Sequence, residues 1–136
     1  MTLIRVKEAD LHKTVAELLD WVLLPPAFWT TFPAGWGKLG KATAGTLNAA
    51  GLKPGFPDIL IIFNGRATGL ELKAPGGVPS KVQREMHLRL RGAGMMTYVC
   101  HSVEEVMEAL ELASLPRRSL KVQHDQGKPT TVAANP

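Results

Sequence analysis

The sequence predicts a single α/β domain with a small mixed central sheet flanked by helices. Three observations lead there. The chain has 136 residues, about one domain's length. Apolar residues recur at helical spacing near its start. Further on, two strand-like runs meet at Asn64-Gly65, followed by a helix, a strand and another helix.

The first helix is expected from about Glu8 to Leu23, because Leu11, Val15, Leu18, Leu19 and Val22 form one stripe, and Pro25-Pro26 ends it. Residues 27–55 mix aromatics, glycine and lysine, with a short helix expected near Ala42–Ala50. Asp58-Ile59-Leu60-Ile61-Ile62-Phe63 has the length and β-branched content of a buried strand. Asn64-Gly65 is a hairpin turn, and Ala67 to Lys73 is the returning strand. After the Pro75–Pro79 loop, Ser80 is the N-cap of a helix to about Arg91, closed by Gly92 and Gly94. Thr97–Cys100 is a third strand. Ser102 with Glu105 is a capping box for a last helix to about Leu112. The domain is thus expected over 1–115. Residues 116–136 are polar and basic without periodicity and are expected to be a disordered tail.

Composition narrows the function classes. No apolar stretch approaches the roughly 20 residues of a membrane span, and no secretory signal is expected at the start. Cys100 is the only cysteine, so neither an internal disulfide nor a cysteine zinc site is available, and a reducing intracellular setting fits. In its apolar strand Cys100 is expected to be an inert core thiol. The net charge of +4 is unevenly spread: residues 38–91 hold nine Lys/Arg against three Asp/Glu, and residues 92–115 hold none against four. The basic middle suits a polyanion such as nucleic acid.

The chemistry centres on Asp58, Glu71 and Lys73. Strand alternation puts Glu71 and Lys73 on one face, opposite Leu70 and Leu72. A hairpin about Asn64-Gly65 pairs position 58 with position 71, so the two carboxylates project from the same face. Opposed carboxylates repel unless a cation neutralises them, and a hard cation such as Mg²⁺ or Mn²⁺ takes oxygen ligands. Beside a phosphate, such a centre has the parts for phosphodiester hydrolysis, with Lys73 orienting water or stabilising developing charge.

At these residues the sequence resembles the VRR-NUC family of the PD-(D/E)xK nuclease superfamily. The matching segments are Gly55-Phe56-Pro57-Asp58-Ile59-Leu60, Gly69-Leu70-Glu71-Leu72-Lys73, Ser80-Lys81-Val82-Gln83 and Gly94, within residues 8–112. The resemblance implies a restriction-endonuclease-like core and a metal-dependent endonuclease acting on DNA. It adds Gln83 to the catalytic set, and an acid of the first helix at the edge of the metal site. Glu8, Asp10, Glu17 and Asp20 are candidates. Glu8 is chosen because it shares a stripe with His12, Val15 and Leu19, whereas Glu17 and Asp20 fall on the solvent side. The implied metal set is Asp58, Glu71, Leu72 and Glu8, holding Mg²⁺ or Mn²⁺. The short chain resembles stand-alone members of phages and prophages, which implies a bacterial cytoplasm, a homodimer and selectivity for branched DNA of the Holliday-junction type. Flap or duplex-end cleavage is the alternative within the class.

Lys81 and Arg84, which flank Gln83, are expected to contact DNA phosphates, with Lys38, Lys41 and Lys53 as further candidates. Trp29 and Trp36 are read as loop aromatics that plug a small core, with base stacking as the alternative. His87 is read as a structural histidine that lies within reach of DNA or the site. A non-cleaving DNA-binding module would be expected to lack an acid or the lysine, and all three are present. A blocker of a host nuclease would need an acidic face where residues 38–91 are basic.

Overall fold

The computed structural model of the protein describes residues 7–32, 41–123 and 131–135. Leu11, Val15, Leu19 and Val22 are all buried along α1 (Glu8–Val22), so the apolar stripe is the helix's packing face. Then come β1 (Phe28–Thr31), α2 (Lys41–Ala49), β2 (Ile59–Phe63), β3 (Arg66–Leu72), α3 (Lys81–Gly92), β4 (Met96–Cys100) and α4 (Val103–Leu112). A separate pair, β5 (Ser119–Gln123) and β6 (Thr131–Asn135), follows.

The main sheet is mixed and four-stranded, in the order β1-β2-β3-β4. β1, β2 and β3 are antiparallel neighbours, while β4 runs parallel to β3. A parallel neighbour needs a crossover, and α3 is that crossover. Asn64 and Gly65 both have positive φ, 52° and 75°, as the tight hairpin turn requires. The turn fixes the register from Phe63↔Arg66 to Ile59↔Leu70. Continued one step, this register sets Asp58 against Glu71.

Ile59, Ile61, Leu70 and Leu72 join the stripe of α1 and Val106, Ala109 and Leu110 of α4 in one core. Cys100 closes the same cluster, and burial pushes its thiol up to about 12, so it stays protonated. The alternate residues of β3 face α3 on the other side of the sheet. Gly55 has φ 86° and lies so close to α3 that a Cβ there would come within 2.7 Å of the Val82 carbonyl oxygen. The loop leading to Asp58 is therefore seated directly on the start of α3.

Several expectations need correction. β1 falls in the stretch read as irregular; it is a four-residue edge strand, too short and too evenly half-buried to show alternation. Gly92 is the last residue of α3, and Ala93 is the C-cap. Ser102 caps α4 as expected by accepting from Glu105 N at 3.1 Å. The Glu105 carboxylate, however, accepts from His101 N, one residue before the cap. Beyond Leu115 the backbone is not irregular throughout. Leu24 N donates to Pro116 O at 2.9 Å and Arg118 N to Val22 O at 2.8 Å, tying residues 116–118 to the end of α1. β5 and β6 then pair antiparallel. Apolar periodicity is a poor guide to this segment because it is held by backbone hydrogen bonds. Lys38 and Trp36 lie outside the described residues. Among the described residues no helix is long and apolar enough to cross a membrane.

Candidate active site

The end of the β2–β3 hairpin away from its turn carries the acids. Asp58 sits just before β2, and its Oδ2 accepts a hydrogen bond from Leu72 N at 2.8 Å. Its main-chain oxygen accepts from Phe32 N at 2.9 Å and from Thr31 Oγ1 at 3.1 Å. Both ends of Asp58 are thereby fixed to neighbouring strands. Glu71 projects from β3 toward α3 and is only 1 % exposed.

The partners of Glu71 are unevenly divided between its two oxygens. Oε1 accepts from Gln83 Nε2 at 2.5 Å and lies 3.4 Å from Lys73 Nζ. Oε2 is buried without a hydrogen bond, and so is His87 Nε2, which lies 4.0 Å away. Burial, and then the charge of Asp58, pushes the Glu71 carboxyl up to about 7, with Lys73 acting against the rise. Asp58 is raised as well, chiefly by burial, against the bond from Leu72 N. His87, 7 % exposed, is pushed down by burial and by the charges of Arg91 and Lys73. Burial is the leading cause at both acids, and Lys73 offsets only part of it.

Gln83 reaches Glu71 because a full capping box orients it. Ser80 Oγ accepts from Gln83 N at 3.2 Å, and Gln83 Oε1 accepts from Ser80 N at 2.8 Å. With the amide oxygen spent on the cap, the amide nitrogen is aimed at Glu71. The loop before Ser80 is pinned by His101, whose Nε2 lies 2.7 Å from Gly77 O and whose Nδ1 lies 3.0 Å from Glu105 Oε2.

Asp58, Glu71, Lys73 and Gln83 are thus brought together. Glu8 is exposed at the start of α1, yet its charge contributes to the rise of both Asp58 and Glu71, so it stands within electrostatic reach. Leu72 is fully buried, and its apolar side chain can ligate nothing; only its main-chain oxygen could serve a cation. Among the described residues, no three His, Cys, Asp or Glu side chains gather closely enough to hold a metal ion. Mg²⁺ commonly needs only one or two carboxylates because it keeps several waters. The Glu71 carboxylate, with Oε2 lacking a hydrogen bond and Asp58 opposite it in the hairpin register, fits such an ion.

The remaining candidates divide. Lys53 and Lys81 are exposed, and Lys81 Nζ lies 3.9 Å from Glu85 in a loose surface pair. Arg84 is exposed, but its guanidinium donates to Pro79 O at 2.8 Å. Lys41 opens α2. Trp29 packs against the core and donates to Asp20 Oδ1 at 3.0 Å, so it fills the α1–β1 seam. Sequence reasoning missed Thr31, which bonds both Asp58 O and His12 Nε2. No local signal could have found it, since 27 residues separate Thr31 from Asp58.

A mixed sheet between helices, with an acid at the foot of one strand and Glu-x-Lys on the next, defines a single restriction-endonuclease-like α/β domain. A solved structure described as "VRR_NUC domain protein" is similar to it, with a TM-score of 0.56 and 17 % sequence identity, over 79 % of this chain and 88 % of that one. At that identity the likeness is one of fold. No family model matches the sequence, and no curated protein does.

Proposed function

We propose that the protein is a divalent-cation-dependent nuclease that hydrolyses DNA phosphodiester bonds at Asp58, Glu71 and Lys73. The observation that carries this is the buried Glu71 carboxylate, opposite Asp58 in the hairpin register, with no hydrogen bond at Oε2 and the Lys73 ammonium 3.4 Å from its other oxygen. Two buried carboxylates beside one ammonium leave a net negative charge that a further cation would offset. The similarity of fold to a VRR_NUC domain protein supports the same reading.

In this reading Asp58, Glu71 and the main-chain oxygen of Leu72 would hold Mg²⁺ or Mn²⁺, with Glu8 at the edge. The ion supplies Lewis-acid polarisation of a phosphoryl oxygen and a bound water of lowered pKa. Lys73 directs its ammonium to the attacking water or to the negative charge that grows on the phosphoryl group. Gln83 keeps Glu71 Oε1 oriented. Water attacks phosphorus, one P–O ester bond breaks, and a phosphomonoester and a hydroxyl result. Exposed Lys53 and Lys81 supply phosphate contacts that position the backbone.

The proposal extends to branched DNA and a homodimer, since two-fold symmetry matches the paired cuts a four-way junction requires. Cleavage of duplex, flap, splayed-arm and four-way substrates, with Mg²⁺, Mn²⁺ or EDTA, tests it. Cutting that needs the ion and is strongest on the four-way substrate is expected. Cation-independent cutting, or none on any substrate, contradicts the reading.

A further inference from the structure

The start of α1 is anchored on one side only, where Leu11 enters the core. Lys7, its N-cap residue, makes no side-chain cap, and the first turn is exposed. Helix ends of this kind fray. One turn further on, His12 Nε2 lies 3.1 Å from Thr31 Oγ1 of β1, and that hydroxyl lies 3.1 Å from Asp58 O. A hydroxyl has one proton. Asp58 O can only accept, so the Thr31 proton goes there, and Thr31 in turn accepts from His12 Nε2–H. The result is a directed chain, His12 to Thr31 to Asp58, linking α1, β1 and the foot of β2.

His12 and Glu8 are four residues apart on α1 and share a face. Fixing His12 therefore fixes the turn that carries Glu8. His12 is joined through Thr31 to Asp58 O, so the turn that carries Glu8 lies at the Asp58 end of the hairpin. Three carboxylates do not close up unaided, because each addition is repelled by the others. Glu8 is exposed.

We infer that His12 and Thr31 are positioning residues that hold the first turn of α1 beside Asp58, so that Glu8 can join Asp58 and Glu71 around a divalent cation. This rests on the cation-binding reading above. Neither residue touches the ion; both act through Glu8.

Mn²⁺ affinity of the full chain, titrated calorimetrically alongside thermal melts, tests the inference. Thr31→Val, which keeps the shape and removes the hydroxyl, should weaken Mn²⁺ binding about tenfold. Thr31→Ser should restore it. Glu8→Gln should weaken binding comparably, and Thr31→Val added to Glu8→Gln should cost little more, because the first change acts through the second. Unchanged affinity in Thr31→Val overturns the inference, and so does a loss that simply adds to that of Glu8→Gln. A fall in melting temperature with affinity intact also overturns it, since the role would then be structural. Asp58→Asn separates the two readings. If the wild type binds Mn²⁺ and Asp58→Asn does not, the cation site stands whatever Thr31→Val does. If the wild type binds none, the cation site and this inference fail together.

Discussion

Gln83 donates its amide N–H to Glu71 Oε1 while its amide oxygen caps the helix on which it stands. One side chain joins the fold of α3 to the orientation of the buried acid. Ser80→Ala should remove half of the capping box and cost about 1 kcal/mol, with most of the cleavage rate retained. Gln83→Ala should cost at least as much and also release Glu71 Oε1, so the rate should fall about tenfold or more. Urea denaturation and single-turnover cleavage of the two variants check this. Equal losses of rate would show that only the helix cap matters.

The Glu71–Asp58 relationship was legible in the sequence because Asn64-Gly65 permits few turns, and a two-residue turn fixes the register of everything beyond it. Gln83 entered only through the resemblance to the VRR-NUC family, and the reciprocal cap that it makes with Ser80 is a finding of the structure. What could not be read was the set of contacts between distant segments. Thr31 lies on a four-residue edge strand, and its partners are 19 and 27 residues away. His87, read as structural, is buried as such a residue should be, but its Nε2 faces the unpartnered oxygen of Glu71. The placement of Arg84 was also out of reach, because local sequence does not reveal that a guanidinium folds back onto its own loop.

The pH dependence of the metal-free protein has a definite sign. Folded Glu71 keeps its proton to about pH 7, whereas its ordinary value is 4.5. Across that window the folded state binds more protons than the unfolded one, so stability falls as pH rises from about 4.5 to about 7. The loss is on the order of 3 kcal/mol. Glu71→Gln should flatten this part of the profile, and saturating Mg²⁺ should oppose the loss. Denaturation midpoints measured across pH 4–8 provide the check. A wild-type profile that rises over this window would contradict the raised Glu71 carboxyl.

His101 acts in a neighbouring window. Both of its ring nitrogens face acceptors, Gly77 O and Glu105, so both must carry protons for the two bonds to coexist. The bond to Gly77 O first, and then Glu105, raises its pKa, and the bond from His101 N lowers that of Glu105. A raised histidine adds stability below its unfolded value of about 6.5, and the gain is lost as pH climbs through the higher folded value. Glu105 adds stability above its ordinary 4.5, lost as pH falls through its lower folded value. Both groups are partly solvated, so the effect should be small. Protection of the 74–79 loop amides, corrected for intrinsic exchange, should fall above neutral pH, and His101→Phe should remove that fall.

Truncations should divide the last segment at Arg118. Deleting 119–136 removes β5 and β6, a two-stranded pair that adds little by itself, and the melting temperature should hardly move. Deleting 116–136 also breaks two backbone bonds to the end of α1 and the stacking of Arg118 over Trp21 at 5.5 Å. That should cost on the order of 2 kcal/mol. Equal melting of both truncations and the full chain would show that residues 116–118 contribute nothing.

Lys73 tests the central claim most directly, because its proposed work is chemical. Its Nζ lies 3.4 Å from Glu71 Oε1 on a mostly buried side chain, a position suited to a reacting phosphate and poor for general DNA attraction. Single-turnover cleavage by Lys73→Ala at saturating enzyme, paired with DNA binding in Ca²⁺, separates the two roles. The account predicts a rate lower by several orders of magnitude, on the scale of losing a preorganised transition-state contact. Affinity should change only modestly, as for one phosphate contact among many. Cleavage by saturated Lys73→Ala at the wild-type rate would contradict it.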